Sequence, residues 1–170
     1  MKNSIIFLII PFFISCSSKV SREDAILYKE AIVEITDKNI EPCQTFIDNA
    51  SIIIADSKKY KVHKIKCDYI FGLLAKAKKS NNTAILKLKE IKEIDDEINY
   101  RDSYISYLYA EKNVFLALES WLNYIEKNGN VNMHEEDRIF NAVRKKLSIM
   151  YDKQLVIEDK IEDFNIKYKL

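Results

Sequence analysis

Beyond Pro11 the chain holds one proline, Pro42, and two glycines, Gly72 and Gly129. A fold rich in strands needs turns roughly every 8–12 residues, and those turns lean on glycine and proline. This sequence cannot supply them. Lys, Ile, Leu, Glu, Asp and Asn are plentiful instead, so long stretches can run on as helix. The expected fold class is all-α: antiparallel helical hairpins, in a repeat-like stack or bundle, with a long C-terminal helix.

Apolar spacing places the helices. Ser21 caps a first one, with Ala25, Ile26, Tyr28, Ala31, Ile32 and Ile35 as its apolar face, ending in Asp37 to Glu41. Pro42 suits a first helical position, so a second helix follows with Cys43, Phe46, Ile47, Ala50 and Ile54 on one side. After Asp56-Ser57, Val62 to Ala77 mark a third. Ser80-Asn81-Asn82-Thr83 reads as a capping cluster before a fourth, Ala84 to Ile94. A fifth covers about Ile98 to Lys112, and Asn113 caps a sixth carrying Val114, Leu118, Trp121 and Leu122. Asn128-Gly129-Asn130 stops it. From Met133 to Leu170 no glycine or proline intervenes, and Phe140, Val143, Leu147, Met150, Gln154, Ile157, Ile161, Phe164 and Tyr168 keep a heptad-like seam. That seam either lies on the chain's own helices or, beyond about Asp152, projects to pair with another molecule, which makes a homo-oligomer through the C-terminal helix possible.

Cys43 and Cys67 are equidistant from Ala55. In a hairpin turning near Ala55 to Ser57 they would lie side by side, and a disulfide closing that loop would contribute roughly 3 kcal/mol. The alternative is two buried free thiols acting as small hydrophobes.

At the start, Lys2 precedes an apolar run from Ile5 to Ile14 that closes in Ser15-Cys16. This layout is that of an export signal, since a span needs about 20 apolar residues. The stretch Phe13-Ile14-Ser15-Cys16 resembles the lipobox of bacterial lipoproteins. The resemblance implies cleavage before Cys16, acylation of its thiol, and, from Ser17 after the cysteine, an outer-membrane address facing the periplasm. The bland alternatives are an ordinary cleaved signal near Ser15 or an uncleaved apolar tail. Residues 1–15 are then the signal, 16–22 a lipidated tether, and 23–170 a single helical domain. With Cys16 acylated, the three cysteines read as one plus two, leaving Cys43 and Cys67 available to each other in an oxidising compartment.

Ala84 and Ala117 stand 33 residues apart, Phe71-Gly72 precedes Ala84 by about 12, and Trp121 follows Ala117 by four. Over residues 68 to 128 this spacing resembles tetratricopeptide hairpins, although Ile105 replaces a small residue and the closing prolines are missing. The resemblance implies a helical stack with a binding groove.

Charge is uneven. Lys58 to Lys92 holds eleven lysines against Asp68 and Glu90, whereas Glu93 to Asp163 holds 16 acidic and 9 basic residues. The basic stretch could face anionic headgroups, an acidic partner, or the chain's own acidic half. Lys58, Lys59, Lys61, Lys64 and Lys66 are therefore candidate binding residues, joined by Tyr100, Tyr104 and Tyr107 on one helix face, since tyrosine is favoured at interfaces. Such tyrosines are equally natural in a core. Near-neutral overall charge argues against a nucleic-acid partner.

No catalytic constellation stands out. His134-Glu135-Glu136-Asp137 lacks the second histidine of a zinc-protease helix, and two glycines cannot build a phosphate loop. No cofactor, metal or enzymatic activity is expected. The sequence points to a lipid-anchored, periplasm-facing module that binds another envelope protein, with an immunity protein against a periplasm-delivered toxin as the alternative.

Overall fold

Ser21 opens the first helix as its spacing suggests: its Oγ accepts the Asp24 N–H at 3.0 Å and donates to the Asp24 carboxylate at 2.6 Å. The computed structural model describes residues 20–57, 64–128 and 133–170. The side chains of 53–57, 64–67, 128, 133, 135 and 136 are outside that description. The described residues form four helices: α1 Arg22–Ser57, α2 Lys64–Glu90, α3 Tyr100–Asn128 and α4 Met133–Tyr168. Each packs antiparallel on the next. The all-α expectation and the long C-terminal helix are borne out.

Six shorter segments before the last helix become three long ones, and each lost break has a physical reason. Pro42 lies inside α1, where a proline removes the bond to the carbonyl four residues back and costs about 3 kcal/mol. That carbonyl belongs to Lys38, and the Ser80 hydroxyl donates to it at 3.4 Å from α2. The defect is thus partly healed across the helix pair. Ser80 to Thr83 likewise do not cap anything: Asn81 is fully buried within α2. Asn113 is an exposed position in the middle of α3. Ala84 and Ala117 therefore sit within α2 and α3.

Two apolar clusters fill the interior. One joins Phe46, Ile70, Leu74, Val114, Phe115, Trp121, Leu122, Val143 and Met150. The other joins Tyr28, Ile32, Ile85, Leu88, Ile98, Tyr100, Leu108 and Phe164 at the end where α1 begins and α4 ends. Phe164 is fully buried, stacked on Tyr100 at 5.0 Å and flanked by Tyr168 at 4.7 Å and Tyr28 at 5.6 Å. The seam of α4 thus lies on the chain's own helices, with Val143, Met150, Ile157 and Phe164 all buried. It does not project.

The same end is closed by the α2–α3 connection, residues 91–99. Asp95 Oδ1 accepts the N–H groups of Glu97 and Ile98, and its Oδ2 takes the Tyr168 hydroxyl at 2.8 Å and the Lys167 ammonium at 2.7 Å. Burial alone would raise the Asp95 pKa, but Lys167, Tyr168 and the Ile98 N–H together hold it below its ordinary value. Asn99 turns the chain into α3 with a φ of 54°, a left-handed conformation that asparagine tolerates better than most residues. Glu93 accepts from the Tyr28 hydroxyl and from the Arg101 N–H. Finally α4 stops in a Schellman turn, with Leu170 N–H on the Asn165 carbonyl and Lys169 N–H on the Ile166 carbonyl. Arg22 Nε donates to the freed Lys169 carbonyl at 3.1 Å.

Candidate functional site: an acid-lined groove over Glu111

Away from their clasped ends, α1 and α4 stand apart, and the space between them is a groove of about 480 Å³ floored by α3. Val33, Thr36, Asp37, Ile40, Gln44 and Ile47 form the α1 wall; Leu147, Met150, Tyr151, Gln154, Ile157, Glu158 and Ile161 form the α4 wall. Tyr104, Tyr107, Leu108 and Glu111 make the floor. Val33 to Ile47 spans fourteen helical steps, about 21 Å, and Leu147 to Ile161 spans the same. The volume lies within the range of about 300–1,000 Å³ seen for ligand sites. Among the described residues that line it, Asp37, Glu111 and Glu158 are charged and none is basic.

Glu111 is the unusual member, only 4% exposed. Its Oε2 accepts the side-chain amides of Asn81 at 2.7 Å and Asn39 at 2.9 Å. The second Asn81 proton goes to the Leu108 carbonyl at 2.9 Å, which orients that amide and leaves Asn81 Oδ1 without a donor. Burial pushes the Glu111 pKa above the ordinary carboxylate value, against the opposing pull of the Asn81 and Asn39 amides and the Cys43 thiol. Among the described residues no lysine or arginine pairs with it.

Asn39, Asn81 and Glu111 occupy one level of α1, α2 and α3, between the two apolar clusters. A polar layer between cores is costly unless its members satisfy one another. Here two amides satisfy one carboxyl oxygen, and the layer gives the three helices a common register.

Cys43 belongs to the edge of this layer and corrects an expectation. It is a free, buried thiol, which donates to Asn39 Oδ1 at 3.3 Å and lies 3.8 Å from the Ala77 carbonyl. The hairpin register thus sets Cys43 level with Ala77, ten residues or about 15 Å of helix beyond Cys67. The Cys43–Cys67 disulfide does not form in this arrangement; the Cys67 side chain itself is outside the described residues. Burial first, then the Glu111 carboxyl, push the Cys43 thiol pKa upward.

The tyrosine strip divides. Tyr100 is fully buried and belongs to the core at the clasped end, because Phe164 stacks on it. Tyr104 and Tyr107, one and two turns further along α3, reach the groove floor. Lys58, Lys59 and Lys61 lie outside the described residues, as do the side chains of Lys64 and Lys66. Farther along the basic stretch, Lys76, Lys79 and Lys87 gather with Lys38 around a shallow hollow of about 300 Å³ between α1 and α2. Lys78 instead pairs with Glu119 of α3 at 2.6 Å, and Lys89 donates to the Tyr109 hydroxyl. Part of the basic run is therefore spent on the chain's own α3. Cys16 and the rest of residues 1–19 lie outside the described residues.

No family profile, characterised protein or solved structure matches this chain. Among the described residues no helix is long and apolar enough to cross a membrane, and no three His, Cys, Asp or Glu side chains converge as metal ligands. Site residues that sequence reasoning missed are Asn39, Asn81, Glu111, Asp37 and Glu158. A usable signal exists for the first three. Each lies in phase with an apolar stripe: Asn39 between Ile35 and Cys43, Asn81 between Ala77 and Ile85, Glu111 between Tyr107 and Phe115. Polar residues at in-phase positions belong inside.

Proposed function

We propose that this protein is a lipid-anchored, periplasm-facing helical module that binds another protein, serving as an accessory or assembly factor of an envelope, secretion or pilus apparatus. The groove between α1 and α4 is the observation that carries the binding role. Its length of about 21 Å suits a helix of four turns, and helix-in-groove docking uses apolar walls of this kind. Ile40 and Tyr151, which face it from opposite walls, are each 58% exposed, an arrangement natural for side chains that a partner covers. The lipobox-like run ending at Cys16 supports the anchor and the address.

Photo-crosslinking in living cells tests the reading. A benzophenone side chain replacing Ile40 or Gln154 is expected to capture one envelope protein, whereas the same probe at Leu86, on α2 outside the groove, is not. Equal capture from all three positions, or none from the groove, refutes the binding role. Loss of palmitate labelling in Cys16→Ser tests the anchor separately. The three groove carboxylates also favour a second reading, an immunity protein that covers a basic toxin; rescue of cells from a toxin encoded beside this protein would select it.

A further inference from the structure

We infer that the partner segment seated in the α1–α4 groove presents a lysine or arginine from an otherwise apolar face, and that its cation is received at Glu111. This rests on the groove being a protein-binding site and adds the chemistry of what enters.

Three observations point the same way. The groove lining carries Asp37, Glu111 and Glu158 and no cation. A neutral apolar segment would leave the exposed Asp37 and Glu158 carboxylates facing it without a cation as water is displaced, and an acidic one would be repelled. Glu111 is nearly buried yet holds no ion pair among the described residues; amides and a thiol are its partners. Glu111 lies on the floor one turn beyond Tyr107, between the apolar walls, so a donor reaching it from the groove must be carried on a long aliphatic stem. Lysine and arginine have such stems, which lie along apolar surface while the head reaches a polar site. The tyrosine rings of the floor add a surface that cations favour.

The molecule's other face has the opposite preference. Lys38, Lys76, Lys79 and Lys87 cluster between α1 and α2, so a basic segment is turned away there. Charge alone therefore selects the face on which such a segment docks.

A displayed library of 16-residue helical peptides, panned against the purified full chain in detergent micelles, tests this. The expected winners carry Lys or Arg flanked three or four residues away by apolar side chains. Replacing that Lys by norleucine should weaken binding at least tenfold, and so should Glu111→Gln, with the two changes together costing little more than either alone. Asp37→Asn with Glu158→Gln, two changes at the exposed rim, should weaken it severalfold without touching the buried layer. If the winners are neutral, or if norleucine and all the carboxylate variants bind within twofold of the originals, the cation inference falls while the protein-binding reading stands. If no selected peptide is displaced by Ile40→Arg, while Leu86→Glu is equally silent, the groove itself is wrong and both fall.

Discussion

Removing Phe164 should unfasten the start of α1 from the end of α4. The side chain is fully buried and touches rings from α1, α3 and its own helix. Truncating a buried Phe to Ala costs about 3–5 kcal/mol, more where the surroundings cannot collapse into the void. Here they cannot collapse easily, because the Tyr168 hydroxyl is held by Asp95 and the Tyr28 hydroxyl by Glu93. A loss of about 4 kcal/mol follows, with part of it the ring pairs themselves at ~1 kcal/mol each. For a chain of this size that lowers the thermal midpoint by roughly 10 °C. Urea unfolding followed by circular dichroism at 222 nm reads the free energy, and hydrogen exchange reads the place, with the early turns of α1 losing protection first. Ile166→Ala is the control, since Ile166 is 69% exposed and should change stability by less than about 0.5 kcal/mol. A Phe164→Ala loss below about 1 kcal/mol would refute the packing of the α4 end on its own chain.

Glu111→Gln keeps the shape of the polar layer and removes its titration. Because burial raises the Glu111 pKa in the folded state, the wild type binds its proton more readily folded than unfolded, and its stability falls as pH rises from the unfolded carboxylate value through the folded one. The variant should therefore be the more stable at pH 8, with the two urea midpoints converging near pH 4; a gap that widens toward acid would reverse the sign and refute this. Cys43 should resist iodoacetamide in the native protein and react only on unfolding, read by mass mapping of the peptide carrying it, since burial keeps its thiol protonated; rapid native labelling would contradict its placement. Gly72 lies in α2 with nothing within 4 Å of an added Cβ, so Gly72→Ala should stabilise by about 0.5–1 kcal/mol in urea unfolding, and a loss of stability would show a close neighbour there.

Helical class, the Ser21 cap, the stop after α3 and the uninterrupted α4 with its apolar seam were legible because each is local: a capping side chain, a glycine, a heptad; which partner the seam faces was not. Two of the three interior breaks, those in α1 and α2, were misread for one shared reason. Asp37 to Glu41 and Ser80 to Thr83 are polar clusters at helical spacing, and polar clusters ordinarily mark helix ends. In this fold Asn39 and Asn81 turn inward to meet Glu111, a non-local partner 72 and 30 residues away. Local propensity holds no information about that meeting. The same shift of register moved the Cys43 partner from Cys67 to Ala77: reading the turn a few residues early displaces the facing residue by twice as many. The groove was illegible for a related reason, since it depends on how far α1 and α4 diverge, which neither helix encodes alone.

The clasp between Arg22 and the Lys169 carbonyl means that both ends of the folded chain leave from one end of the bundle. The order in which the helices are strung together is then nearly a free choice. A circularly permuted protein, with Leu170 joined to Val20 by a short linker and new termini opened between α1 and α2, should keep the same packing, because neighbouring ends are what such rewiring requires. It also means that a fluorescent protein or affinity handle fused after Leu170 departs on the side where α1 begins, and leaves the opposite end of the bundle clear.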